Sequence, residues 1–385
     1  MLSVEKLAAL AGQWALEPGI TYLNHGSFGP SPRPVLVARR AWQERLQANP
    51  INFLNREMEG ALAAARQRLG QFVGCSADDL VLTDNATFAM NIVAQSFPLA
   101  AGDEVLVTDH EYGADVRIWQ QRCDTTRARL VTARLPRPLS SADEVVAALF
   151  ACATPRTRLL VFSHVTSPTA VVLPAEAICR RARELGLAVC IDGPHAIGMR
   201  PLDLAALDCD YYAASCHKWL SAPIGSGFLY VHPRAQTGIR SPVVSWGKPF
   251  GEVKTWRDEL VWLGTRDPSA LLAIPAAVDF FEAVGWEEFR AHGHALARLA
   301  REKIGELTGL EPLVPDSVDW YGSMISLPMP AGVDQSLQRT LWEQHRIEIP
   351  LTLWQDRWWI RPSCHLYTLS EDIERLVDAL RGLLP

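Results

Sequence analysis

This 385-residue sequence contains only five lysines, Lys6, Lys218, Lys248, Lys254 and Lys303, so each can be weighed individually. Lys218 stands out because it follows an apolar run, 211–215, and precedes Trp219 and Leu220. A lysine held among apolar neighbours is driven toward the neutral amine, which can form a Schiff base with a carbonyl. A snorkelling lysine fits the same surroundings, and Lys218 by itself is compatible with both. Asp192-Gly193-Pro194-His195 ends a second apolar run, 187–192. The Gly-Pro pair interrupts the strand and presents Asp192 and His195 at its end. Asp84-Asn85-Ala86-Thr87 follows a third run, 79–83, and opens a helical pattern. Small polar residues there can cradle a phosphate or simply cap the helix.

The three segments together meet the needs of one cofactor. Pyridoxal phosphate requires a lysine for its aldehyde, a carboxylate for its pyridinium nitrogen and a phosphate cradle. Lys218, Asp192 and the Asn85-Ala86-Thr87 helix start supply them. Lys218 would then move the α-proton of a bound amino acid.

These residues need a scaffold that gathers strand ends. The pattern predicts strands at 79–83, 104–108, 129–133, 158–163, 187–192, 211–215 and 227–231. Helices are expected between them at 85–97, 113–123, 140–151 and 174–186, with two earlier ones at 35–47 and 56–74. Nearly continuous apolar strands alternating with helices predict an α/β protein with a mostly parallel sheet sandwiched by helices. Such sheets bind ligands at the carboxyl ends of their strands. After about residue 265 the character changes: helices at 268–284, 286–309 and 370–384 enclose weaker strands near 323–327, 348–351 and 358–361. The expected division is an N-terminal segment 1–25 packing with the small domain and the active site, a large cofactor domain 26–265 and a small α+β domain 266–385.

The block Asp192-Gly-Pro-His195, Leu207-Asp-Cys-Asp-Tyr-Tyr, Ser215-Cys-His217-Lys218 and Gly225-Ser-Gly227-Phe-Leu-Tyr resembles the class V aminotransferase family of fold-type I pyridoxal-phosphate enzymes. That family includes the cysteine desulfurases. Tyr22-Leu-Asn24-His25-Gly-Ser-Phe-Gly29 is similar to its isopenicillin N epimerase-like branch. Further blocks occur in the family's order at Gly102-Asp-Glu-Val, Asp109-His-Glu-Tyr-Gly-Ala, Ser163-His-Val-Thr-Ser, Gly264-Thr-Arg-Asp and Arg361-Pro-Ser.

The resemblance implies roles. Lys218 would carry the cofactor as a Schiff base, Asp192 would pair with the pyridinium nitrogen, and His195 would lie beside the phenolic oxygen. Ser215, His217, Ala86 and Thr87 would bind the phosphate. Thr265 would reach the phosphate of a neighbouring subunit, implying a homodimer with shared active sites. Tyr112 would stack on the ring and join the catalytic residues, with His110 as the alternative stacking residue. Arg361 would clamp the substrate carboxylate through its bidentate fork, and Asn24 and His25 would lie near the substrate entrance. His164 reads as an ordinary loop histidine and Cys216 as a small spacer.

The fold alone does not choose the reaction. Desulfurases use a mobile cysteine ahead of the carboxylate-binding arginine. Residues 310–361 contain none, and Cys364 lies after Arg361. The expected activity is therefore epimerisation or racemisation of an amino acid or its derivative, with Lys218 as one proton carrier. C–S β-elimination on a cysteine conjugate or sulfoxide is the alternative, followed by transamination and, lowest, a non-catalytic dimeric scaffold. A nicotinamide dehydrogenase is excluded because no G-x-G-x-x-G joins an early strand to a helix. Trp246, Trp256 and Trp262, with Arg240, Arg257 and Arg266 nearby, suit either a larger acidic substrate or, with greater weight, an interface and core.

Composition agrees with this class. Hydrophobic residues make up 48% and charged residues 21%, and 37 basic residues against 43 acidic give a net charge of −6. With no basic excess, neither nucleic acid nor an anionic membrane is an expected partner. The eight cysteines include no C-x-x-C pair, so reduced thiols without a metal site are expected. The N-terminus has no secretory pattern and no later run is long enough to span a membrane, so a soluble cytoplasmic enzyme is expected.

Overall fold

The computed structural model describes residues 4–246 and 255–384. In chain order the strands are β1 (Thr21–Tyr22), β2 (Leu80–Thr83), β3 (Glu104–Thr108), β4 (Arg129–Ala133), β5 (Thr157–Ser163), β6 (Ala188–Asp192), β7 (Tyr211–Ser215), β8 (Gly227–Val231), β9 (Leu327–Pro328), β10 (Ile347–Glu348), β11 (Leu351–Trp354) and β12 (Arg357–Ile360). Seven of them form the central sheet, in the order β2-β8-β7-β6-β5-β3-β4. Strands β2, β3, β7 and β8 are buried along their whole length. This is why their sequences are nearly continuous in apolar residues: helices cover both faces. At the edge, β4 exposes Arg129 and Thr132, which discourages pairing with another chain.

The sheet is parallel except at β8, which runs antiparallel to both β2 and β7. The reversal matters for the site. It brings Gly227, the first residue of β8, between Thr83 at the end of β2 and Ser215 at the end of β7. Asp192 pairs with Ala213 on one side and Ser163 on the other. The ends of β2, β5, β6 and β7 thus line one edge. Gly227 is needed there, since a Cβ on it would approach Ala214 O to 2.6 Å and Asn85 Cα to 2.9 Å.

The helical readings hold with shifted ends, at Arg33–Ala48, Met58–Val73, Ala86–Ser96, Gly113–Thr126, Ala142–Phe150 and Ala175–Glu184. The expected helix over 268–284 is two, Ser269–Leu272 and Ile274–Val284, because Pro275 lacks the N–H to continue the first ladder. The strand expected near 348–351 is also two. Glu348 ends β10 and Leu351 starts β11, with Pro350 between them. β1 pairs parallel with β10, so the N-terminal segment joins the C-terminal part of the chain. Trp14 extends that contact, its ring 5.7 Å from Phe280 and 5.5 Å from His365. Among the described residues no single helix is long and apolar enough to cross a membrane, and no group of side chains is arranged to hold a metal ion.

Candidate active site

A cavity of about 560 Å³ opens at this sheet edge, walled by Asp84–Thr87, Asp192, His195, Ser215, His217, Lys218, Arg361, Tyr112, Asp115 and the 26–28 segment. Lys218 enters from the turn after β7. Enclosure of its amine lowers the pKa to about 8, against the pull of Asp192 and with help from Arg361. Nζ lies 3.2 Å from His195 Nε2. The backbone carbonyl of Lys218 accepts from Ser221 N at 2.7 Å and lies 3.0 Å from His25 Nε2. The lysine is therefore held at its root while its amine stays at the cavity.

Asp192 sits at the floor, 6% exposed. Burial raises its pKa to about 6, and Lys218 opposes the rise. Two further buried carboxyls stand behind it. Asp115, in the first turn of helix Gly113–Thr126, lines the same cavity, and burial, with the charge of Asp192, raises it well above the usual range. Asp115 Oδ2 is buried and has no hydrogen-bond partner among the described residues. Glu111 accepts from Ser163 Oγ at 2.6 Å and from Thr108 Oγ1, and burial pushes it up to about 7. Like charges gathered this way cannot all ionise, and Asp115, pushed up furthest, is the one that keeps its proton.

At the opposite end, Asn85 caps helix Ala86–Ser96 by accepting from Phe88 N at 2.8 Å. Ser215 Oγ accepts from Ala86 N at 3.0 Å. His217 lines the same cavity, and its buried Nδ1 has no hydrogen-bond partner among the described residues. A helix N-terminus, a hydroxyl and an unsatisfied imidazole nitrogen form a fitting anion cradle.

Arg361 forms the third wall. It is 4% exposed and has no ion pair among the described residues. One terminal nitrogen donates to Ser167 O and to Ser167 Oγ, and the other to Ser27 Oγ at 3.1 Å. Burial lowers its pKa to about 10. A buried guanidinium without a carboxylate partner is a strong attractor for one brought by a ligand.

The structure brings Lys218, Asp192, His195, Ser215, His217, Ala86, Thr87, Tyr112 and Arg361 to one cavity. Tyr112 lines it and is 45% exposed, whereas His110 is buried outside it, 2.7 Å from Thr169 Oγ1 and packed on Trp354. Thr265 is exposed and outside the lining. Asn24 and His25 are not at an entrance. Asn24 donates to Glu348 at 3.0 Å, and fully buried His25 sits behind the wall against Lys218 and Tyr367. The reason is local: the turn at 24–27 points Gly26 and Ser27, not its first residues, into the cavity. Trp256, Trp262, Arg240, Arg257 and Arg266 do not line the cavity, and Arg257 and Arg266 pair with Asp78 and Asp84. Part of that stretch, 247–254, lies outside the described residues.

Sequence reasoning missed Asp115, Ser27 and Ser167. Asp115 looks like an ordinary acidic residue of a first helical turn, and Ser27 and Ser167 lie in the blocks 22–29 and 163–167 but nothing in the sequence pairs them with Arg361.

This sheet and this cavity define a class. The chain belongs to the class V aminotransferase family, whose model matches residues 21–376. It is 41% identical to the isopenicillin N epimerase of Amycolatopsis lactamdurans, over 96% of this chain and 97% of that one. It is 38% identical to that of Streptomyces clavuligerus, over 97% of each chain. Its fold matches, with a TM-score of 0.84, a C-DES mutant with glycine covalently linked to the PLP cofactor, at 24% identity over 99% of both chains. The chain is a pyridoxal-phosphate-dependent enzyme, and its fold is fold-type I. The residues present fit that cofactor. The lysine amine is held at the cavity, Asp192 stands buried at its floor, and the start of helix Ala86–Ser96 lies beside Ser215 and His217.

Proposed function

We propose that this enzyme inverts the configuration at the Cα of an amino acid or peptide-like amino-acid derivative, as an isopenicillin N epimerase-like isomerase. The observation that carries this reading is the kinship with two isopenicillin N epimerases along almost the whole chain. The cavity agrees with it, since no cysteine lines its wall. Cys364, the thiol nearest Arg361 in sequence, is fully buried, and burial raises its pKa. Sulfur abstraction by a mobile thiolate has no support here.

Bound pyridoxal phosphate supplies an electron sink that weakens the bonds at Cα. The chain's own groups do the rest. Arg361 would hold the substrate carboxylate, Ser27 and Ser167 hold Arg361, and Lys218 would move the proton on one face of Cα, with Tyr112 the candidate carrier on the other. Asp192 keeps a proton on the ring nitrogen and His195 donates to the phenolic oxygen. Ser215, His217, Ala86 and Thr87 hold the phosphate, and Tyr112 stacks on the ring. His25 supports Lys218 from behind, and Asn24 fastens the same turn to Glu348.

The active unit in this reading is a homodimer in which Thr265 reaches the partner's phosphate. Phe28, Ile224 and Tyr112 support it: they are 63%, 61% and 45% exposed at the cavity mouth, a cluster that favours burial by a second subunit. The division into an N-terminal segment 1–25, a cofactor domain 26–265 and a small domain 266–385 belongs to the same reading. A cytoplasmic setting fits eight unpaired cysteines.

The test is incubation with candidate amino acids and derivatives in deuterated water, followed by proton NMR and chiral analysis. Deuterium at Cα with the opposite configuration and no released fragment is expected. Release of pyruvate and ammonia would sink the proposal in favour of β-elimination.

A further inference from the structure

The imidazole of His195 is held between two nitrogen atoms. Trp219 Nε1 lies 3.2 Å from His195 Nδ1, and Lys218 Nζ lies 3.2 Å from His195 Nε2. His195 is 1% exposed and Trp219 is fully buried, so the contact between them is shielded from water. An indole N–H can only donate. Nδ1 must therefore accept, which excludes both the Nδ1–H tautomer and the imidazolium. The single ring proton is left on Nε2, the nitrogen that faces the cavity.

We infer that Trp219 is a positioning residue that locks His195 as its Nε2–H tautomer, making it a permanent hydrogen-bond donor to the phenolic oxygen of the cofactor. Two consequences follow. Nε2–H and a charged lysine amine are both donors, so their contact disfavours the ammonium and favours the free amine that must attack the aldehyde. Once the amine is engaged, the same N–H is free for the phenolic oxygen. The other charges acting on His195 are cationic: Lys218 and Arg361 both disfavour its protonation, in the same direction as burial. Trp219 is itself fixed, with its ring 5.3 Å from His25 and 6.4 Å from His365. A Cβ on Gly198 would approach its carbonyl carbon to 3.1 Å.

The inference rests on the placement of His195 at the phenolic oxygen, and the experiment separates the two. The tautomer is read in the cofactor-free full-length protein by long-range proton–nitrogen NMR with ¹⁵N-histidine labelling, with the His195 signals assigned through His195→Gln. A pyridine-like Nδ1 and a pyrrole-like Nε2 are expected. The opposite pattern, or an imidazolium at neutral pH, overturns the lock. This wild-type spectrum decides the matter even if a Trp219 variant does not fold. Trp219→Phe keeps the aromatic packing and removes only the donor, and a mixture of tautomers is expected. An unchanged tautomer overturns the lock.

In the loaded enzyme, losing a donor to an anionic oxygen makes that oxygen more basic. The pH midpoint of the cofactor's visible absorption band should rise by about one unit in Trp219→Phe. A glutamine amide donates without any tautomer to choose, so Trp219→Phe should leave the midpoint of His195→Gln unmoved. An equal shift in both backgrounds overturns the lock. A changed tautomer with an unmoved midpoint supports the lock and overturns the placement of His195 at the phenolic oxygen.

Discussion

Asp115 and Asp192 line one cavity as two buried carboxyl groups, at 3% and 6% exposure, and the charge of Asp192 acts on Asp115. Two carboxylates cannot both stay ionised in such a place. Asp115 carries the proton, so Asp192 keeps its charge for the ring nitrogen. Asp115→Asn preserves a donor and should retain activity within roughly threefold. Asp115→Ala removes it, and a hydrogen bond to a charged group is worth about 1.5–3 kcal/mol, so a loss of about 10- to 100-fold in kcat/KM is expected. Equal losses in both variants would show that the donor is not what matters.

Arg361 reaches the cavity without a carboxylate partner among the described residues. Arg361→Ala should raise KM by about 100-fold or more for a substrate with a free carboxylate, and much less for its amide. Arg361→Lys offers a point charge in place of a fork and should recover only part of the loss. Steady-state kinetics with the paired substrates checks this, and equal effects on acid and amide would remove Arg361 from the carboxylate site.

The lowered pKa of Lys218 makes cofactor capture pH-dependent. Its amine is charged below about 8 and neutral above, and only the neutral form attacks the aldehyde. About a tenth is neutral at pH 7 and most of it at pH 9. Capture by cofactor-free enzyme, followed by stopped-flow absorbance, should accelerate roughly tenfold across that interval and then level off. A rate still climbing steeply above pH 10 would mean an unperturbed lysine.

Cys216 and Cys364 flank the catalytic lysine and the carboxylate clamp in sequence, yet both are fully buried and burial raises their pKa values. Cys216→Ala and Cys364→Ala should keep activity within about threefold. Iodoacetamide should leave both thiols unmodified in the folded enzyme, as mass spectrometry of its peptides would show. Stoichiometric inactivation by alkylation at either site would reopen the thiol question.

Gly193 follows Asp192, and a Cβ there would lie 2.0 Å from the ring of Tyr212. That ring is fully buried, and its hydroxyl lies 3.0 Å from His164 Nδ1. Gly193→Ala must displace it, so a loss of about 1–3 kcal/mol or more and a lower Tm are expected. A melting curve matching wild type would show that Tyr212 yields without cost.

Much of the frame is legible in the sequence because its physics is local. The continuous apolar runs at β2, β3, β7 and β8 reflect strands buried on both faces, so the runs announce the strands. Lys218, Asp192 and Asn85-Ala86-Thr87 are visible because each follows such a run, where a polar residue needs a reason. The sequence pattern runs one helix over 268–284 because apolar residues continue through the break that Pro275 enforces. β1 is invisible locally: two residues pair only because Ile347–Glu348 arrives beside them from the far end of the chain.

The sequence by itself determined the sheet, the cofactor and the residues that end each strand, since burial and periodicity act on neighbours along the chain. Tertiary structure alone decided how those residues work on one another. The antiparallel β8 sets Gly227 between Thr83 and Ser215. Helix Gly113–Thr126 delivers Asp115 to Asp192, the turn at 24–27 hides His25 and presents Ser27 to Arg361, and Trp219 donates to a histidine 24 residues away in sequence. Protonation states, tautomers and the bareness of a guanidinium depend on distances of about 3 Å between segments remote in sequence, and those distances exist only after folding.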